Sequence, residues 1–129
     1  MFRYPWIRTL DAFGAMPVDD DGAKRVRYTN PVDGGPVILT LDSYGWELSR
    51  GMETRSKRSS ANEVCLVVDG EGESHIGDQT IQWQRNDVFT VPHWRWATHK
   101  AHSETAHIFT FTDREVIKRL HFLREETRG

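Results

Sequence analysis

Six histidines, a single cysteine and one short basic run are the groups in this 129-residue chain best suited to chemistry. His99, His102 and His107 fall close together in sequence and are the one histidine group that could chelate a metal. Such a site needs neutral imidazoles or carboxylates converging on a point, with a position left open for a reactant. His99 shares strand parity with Ala97 and can point inward, while His107 belongs to another strand. The alternative is that all three are ordinary strand and loop histidines, as His75 and His121 are read to be. Cys65 has no second cysteine to pair with and no zinc-site spacing around it, so it reads as a small buried thiol rather than a nucleophile. Arg55, Lys57 and Arg58 are the only basic cluster. They are either a solvated strand end or, if one points into the protein, an anchor for a carboxylate. Trp94 and Trp96 share a face and read as core or subunit interface, as Trp83 and Phe89 read as core. The competing reading puts Cys65, Trp83, Trp94, Trp96 and His107 on the wall of a ligand cavity.

Short strands must position these groups. Residues 2–24 carry Pro5, Gly14, Pro17 and the acidic run Asp19-Asp20-Asp21, and read as an irregular arm ending in a solvated loop. Tyr28-Thr29-Asn30-Pro31-Val32-Asp33-Gly34-Gly35-Pro36 is dense in turn formers. From Val37 the pattern is β: Val37–Leu41, the alternating Trp46 and Leu48, Val64–Val68, His75-Ile76, Thr80–Trp83, Val88–Val91 and His107–Phe111. Strands at about ten-residue spacing, punctuated by Gly and Asp, signal a sandwich or small barrel. Thr112-Asp113-Arg114-Glu115 fits a capping box, and Val116, Ile117, Leu120 and Leu123 then recur at helical spacing. The expected organisation is one domain: an irregular arm over 1–36, a β-barrel over 37–112, and a C-terminal helix and tail over 113–129.

Composition narrows the partners. Seventeen Lys and Arg against 19 Asp and Glu leave a net charge of −2, interspersed, with no footprint for nucleic acid or anionic lipid. No apolar run approaches the roughly 20 residues of a membrane span. The opening Met1-Phe2-Arg3-Tyr4-Pro5-Trp6 lacks the basic and apolar regions of a secretory signal. The expectation is a soluble cytoplasmic protein that contacts neither nucleic acid nor membrane.

The punctuation resembles a cupin, the double-stranded β-helix or jelly-roll barrel, here all-β with one short C-terminal helix. The first cupin motif is His-x-His, a Glu about four residues later and a Gly after the strand; Glu63 and Gly70 hold its far end. The second runs from Gly through Pro to His, and Asn86 and Pro92 keep its first spacing. Four segments narrow the match: Phe2-Arg3-Tyr4-Pro5-Trp6, Asn30 to Val37, Asp87 to Trp96, and Arg124-Glu125-Glu126. Together they resemble the C-terminal cupin of the two-cupin gentisate and salicylate 1,2-dioxygenases, from Phe2 to about Glu126. The resemblance implies ring cleavage between a hydroxyl and a carboxyl substituent on Fe(II) held by three His, with the iron in the N-terminal cupin.

Counted from Glu63 and Pro92, the three His positions of the motifs fall on Lys57, Ser59 and Ala97. Only Glu63 of the four ligand positions is kept, so the resemblance implies a degenerate site of Lys57, Ser59, Glu63, Ala97 and His99, with no metal and no catalytic residue. If 57, 59 and 63 share a face, the Lys57 ammonium can stand where the metal's charge would be and pair with Glu63; otherwise Lys57 snorkels to solvent. The favoured function is a metal-free cupin that is structural or binds a small aromatic acid, as a homodimer or paired with another cupin. Two alternatives stay open: an active Fe(II) dioxygenase on non-standard ligands, and a metal-independent enzyme using Glu63 and a nearby His as acid and base. Whether the chain is complete or a C-terminal half is also open.

Overall fold

A computed structural model describes residues 3–19, 22–38 and 40–128. Two five-stranded antiparallel sheets pack face to face. One has the order β1 (Lys24–Arg27), β2 (Asp42–Ser49), β9 (Thr105–Thr112), β4 (Glu63–Asp69), β7 (Val88–Val91). The other has the order β10 (Glu125–Arg128), β3 (Ser56–Ser59), β8 (Ala97–Ala101), β5 (Glu71–Ile76), β6 (Gln79–Gln84). This is the all-β jelly-roll arrangement expected, with α1 (Trp6–Ala15) and α2 (Arg114–Arg119) outside the sheets.

Alternation decides what fills the interior. Trp46 and Leu48 of β2, Cys65 and Val67 of β4, and Ala106 and Ile108 of β9 meet Ile76, Trp83, Ala97 and Ala101 of the facing sheet in one core. β4 passes to β5 through Gly70, whose φ is +86°. A Cβ there would lie 2.6 Å from the Thr105 carbonyl oxygen, so only glycine turns this corner between the sheets. The core occupies the corner end, and the facing strands leave an opening at the other.

The arm expected over 1–36 is only partly irregular among the described residues. Trp6, Thr9, Leu10 and Phe13 recur at helical spacing behind Pro5, and α1 buries Thr9 and Phe13. Gly45 of β2 lies beneath it, where a Cβ would meet Thr9 and Phe13. Thr9 Oγ1 and the Tyr28 hydroxyl share a hydrogen bond of 2.9 Å. Residues 24–27 form β1 rather than arm. The strand expected at Val37–Leu41 is not formed: Ile38 and Leu41 make one isolated bridge and β2 starts at Asp42. The turn-rich 30–36 run extends its influence by Asn30 and Asp33 capping local N–H groups at Val32 and Gly35. Leu39 of that expected strand, Asp20 and Asp21 of the acidic run, and Phe2 lie outside the described residues.

The C-terminal helix is shorter than expected, and the tail becomes a strand. Asp113, not Thr112, occupies the N-cap, and its carboxylate accepts instead from the N–H and side-chain amide of Asn62 at 2.7 and 3.0 Å. Glu115 turns to Arg119 at 3.7 Å, so the capping box does not close. His121 adopts φ +61°, the helix stops, and Leu120 is left exposed. β10 then returns along β3, with Glu125 opposite Ser59 and Arg128 opposite Ser56.

Candidate functional site

The open end of the sandwich holds a cavity of about 330 Å³ between the sheets. β2 contributes Asp42, Tyr44 and Trp46, β4 Glu63, β7 Val91, β8 Ala97 and His99, β3 Lys57 to Ser59, and β10 Glu125 to Thr127. Lys57, Ser59, Glu63, Ala97 and His99 therefore all face one space. They do so from different sheets: β3 and β4 are separated by the corner at Ser60–Asn62, so residues 57 and 63 look across the cavity rather than along one strand. Ser60 fixes that corner, its hydroxyl donating to the Phe122 carbonyl at 2.7 Å and accepting from the Arg124 N–H at 2.8 Å.

Glu63 is held by Tyr44, whose hydroxyl donates to Oε2 at 3.1 Å. Protein walls in both groups, although the cavity leaves part of each accessible. Burial raises the Glu63 carboxyl above its ordinary value, against the Tyr44 hydrogen bond and then the charges of Arg25 and Lys57. Burial also raises the Tyr44 hydroxyl, helped by the charge of Glu63. Lys57 thus acts on Glu63 as one positive charge behind Arg25, and its side chain is exposed at the mouth. Stability from Glu63 is full below its unfolded value of 4.5 and is lost as pH rises through the higher folded value. Glu63→Gln stays neutral at every pH, so the variant should gain on the parent as pH rises from 4 to 8. Paired melts across that range check this; a constant difference would mean Glu63 folds without a retained proton.

The cavity is rich in cations. Seven Arg and Lys line it against four carboxylates. Three pairs are internal: Arg27 on Asp42 at 3.0 Å, Arg58 on Glu126 at 2.7 Å and Arg114 on Glu125 at 2.8 Å. Arg55 and Arg95 line the mouth without an ion-pair partner among the described residues. Reading the sequence found Arg55, Lys57 and Arg58 but missed Arg25, Arg27, Arg95 and Arg114. The alternating Lys24-Arg25-Val26-Arg27 was the available signal, hidden in a segment taken as loop.

On the far wall, Ser74 Oγ accepts the Trp83 indole N–H at 2.9 Å and lies 2.7 Å from His99 Nδ1. The assignment that satisfies all three groups has Ser74 donating to Nδ1, with the ring proton on Nε2. Trp46 stacks edgewise on His99, centroids 4.9 Å apart.

The expected cavity-lining set Cys65, Trp83, Trp94, Trp96 and His107 does not line this space. Cys65 is fully buried in the core, where desolvation pushes its thiol up and Thr110 donates to Sγ at 3.4 Å. Trp83 is core, with an edge in a shallow depression beside Gly72 and His102. Trp94 and Trp96 do not lie on a strand, Trp94 being in a turn at φ +59°, but both rings lie against Arg58 at 4.2 and 4.5 Å, with Arg128 covering Trp96 at 4.1 Å. The guanidinium groups take the place of core or cavity there. His107 points to the outside of its sheet under α1. Its Nδ1 lies 2.7 Å from Asp69 and its Nε2 2.8 Å from Glu47.

The histidines accordingly do not meet. His99 is in the cavity, His102 lies exposed beside Glu73 at 3.7 Å, and His107 is on the opposite face of the other sheet. Among the described residues no three His, Cys, Asp or Glu side chains could hold a metal ion. An ammonium, a methyl group and one hydroxyl stand at the other motif positions. This donor set does not fit iron.

No family model matches the chain. It does match curated relatives along nearly its whole length. The gentisate 1,2-dioxygenase 1 of Aquipseudomonas alcaligenes is 33% identical over 129 residues, covering 97% of this chain and 37% of the relative. The 5-aminosalicylate 1,2-dioxygenase of Comamonas sp is 33% identical, covering 98% and 35%. The crystal structure of salicylate 1,2-dioxygenase from Pseudaminobacter salicylatoxidans superposes with a TM-score of 0.90 at 27% identity, over 98% of this chain and 38% of that one. A cupin-2 domain from Rhodospirillum rubrum superposes with a TM-score of 0.61 at 16% identity, over 72% of this chain and 60% of that one. The chain has the fold of a cupin domain. It resembles the C-terminal part of the gentisate and salicylate dioxygenases. This cupin spans little more than a third of the length of those curated relatives. No helix of the cupin among the described residues is long and apolar enough to cross a membrane.

Proposed function

We propose that this dioxygenase-like cupin binds a small aromatic carboxylate in its cavity and holds no iron there. The observation that carries the reading is the surplus of cations around an aromatic-floored space, with Arg55 and Arg95 at the mouth and Tyr44 and Trp46 inside. Cationic side chains match a carboxylate, and the two rings supply apolar surface for an aromatic body. The volume, at the lower end of small-molecule sites, suits a single ring better than a larger ligand. Relatives named for gentisate, 5-aminosalicylate and salicylate support the same chemical class.

Titration with salicylate, followed by calorimetry and by the change in total tryptophan emission, tests this. Saturable binding should weaken roughly tenfold in Arg95→Ala and again in Arg55→Ala, about 1.4 kcal/mol each, and should weaken with added salt. Absence of saturation into the millimolar range would count against the reading. After anaerobic loading with Fe(II) and gel filtration, iron should remain well below one equivalent; a full equivalent would restore the dioxygenase alternative. A second reading, metal-independent acid–base chemistry, draws on Glu63 and His99 lining the same cavity. Turnover of a bound aromatic acid that is lost in Glu63→Gln would favour it.

A further inference from the structure

Positive charge enters the cavity from both sheets. Once Arg27, Arg58 and Arg114 are paired off, the other cations of the lining are Arg25, Arg55, Lys57 and Arg95, and the other carboxylate is Glu63. Burial draws Glu63 towards its neutral form. A chain whose net charge is −2 thus encloses a positive space, and protein walls concentrate the field there. One bound carboxylate offsets a single unit of that excess.

The excess is also divided in position. Arg55 leads into β3 and Arg95 into β8, both in the second sheet, and both are exposed at the mouth. Arg25 belongs to β1 of the first sheet, where it lies opposite Trp46 in register. Its guanidinium carbon is 5.8 Å from the centroid of the Trp46 ring, and only 26% of its side chain is exposed. Arg25 also outweighs Lys57 in its pull on the Glu63 carboxyl, which makes it the inner cation. Asp19 approaches Arg25 at 3.5 Å from the exposed side. A guanidinium carries five N–H donors and can serve more than one acceptor.

We propose that the cavity selects an aromatic dicarboxylate whose two groups stand apart on one ring, the first held by Arg55 and Arg95 at the mouth and the second by Arg25 over Trp46. The inference rests on the reading that the cavity takes an aromatic acid. It adds a second anionic group and names Arg25 as the residue that selects for it. Guanidinium pairing with a carboxylate fixes direction as well as charge, so a ring lying on Tyr44 and Trp46 is held at both ends. Two carboxylates on adjacent carbons reach one end only.

Calorimetric titration of the whole chain with benzoate, phthalate, isophthalate and terephthalate tests it. Isophthalate or terephthalate should bind at least roughly tenfold tighter than benzoate. Phthalate, with the same charge on adjacent carbons, should stay within about threefold of benzoate. Arg25→Gln should weaken the separated diacids roughly tenfold and benzoate far less, and Arg25→Lys should keep part of the preference. Should Arg25→Gln not fold, the ranking of the four acids on the parent decides alone. Phthalate binding as tightly as the separated diacids would show a response to charge without position, which overturns the inference. A preference that survives Arg25→Gln overturns it equally. Separated diacids no tighter than a saturable benzoate overturn it while the aromatic-acid reading stands. If neither these acids nor salicylate saturates, that reading fails and takes the inference with it.

Discussion

Gly72→Ala should lower the melting temperature by about 10 °C, from a loss of about 3 kcal/mol. Gly72 sits in β5 between Ala101 of β8 and Trp83 of β6. A Cβ there would overlap the Lys100 carbonyl oxygen and lie 2.6 and 2.7 Å from the Trp83 ring. The carbonyl belongs to a strand ladder and the ring is packed on Phe89 with centroids 6.1 Å apart, so neither side yields cheaply. The consequence reaches the cavity. Trp83 donates to Ser74, and Ser74 sets the ring of His99, so a displaced indole loosens a cavity wall. Thermal unfolding by circular dichroism measures the cost. A loss under about 1 kcal/mol would show that β5 and the indole part easily, contrary to this packing.

His107→Ala should cost about 3 kcal/mol and free α1 from its sheet. Both imidazole nitrogens lie within hydrogen-bond distance of a carboxylate. Glu47 also lies 3.8 Å from the Lys24 ammonium, which donates to the Phe13 carbonyl near the end of α1. A chain of polar contacts thus runs from Asp69 through His107, Glu47 and Lys24 to the helix, beneath the Trp6 and Phe13 rings. Removing its centre leaves Glu47 poorly solvated and opens a void under α1, whereas the more exposed Asp69 adds little. Urea unfolding gives the total. Amide exchange should accelerate in α1 well before the central strands. Uniform acceleration would show that His107 supports the whole sandwich rather than the helix.

These two residues also mark where sequence reading stops. Turn formers and alternating residues locate β4, β6 and β7 closely, because hairpin strands with one buried face carry their own period, but of β5 they give only His75-Ile76 and leave Gly72 outside it. Parity likewise put Ala97 and His99 on one wall. His107 could not be placed, since its partners Glu47 and Asp69 lie 60 and 38 residues away. Polar strands were illegible for a related reason. Ser56–Ser59 and Glu125–Arg128 pair at a sheet edge with little apolar burial, so no hydrophobic period announces them. The cationic lining depends on these elements and on β1, which is why only three of its seven members were found. Lys57, Ser59 and Glu63 reached the cavity through the resemblance rather than through strand parity.

The Gly70 corner has a counterpart at the mouth. The chain crosses between the sheets at both ends: through Gly70, where there is no room for a side chain, and beside Glu63, through Ser60–Asn62, between Val91 and Ala97, and from Thr112 by way of α2 to β10. Ser60 is itself tied to Phe122 and Arg124. The cavity is therefore framed like a window rather than hinged like a door, and its aperture is set by the crossings around the rim.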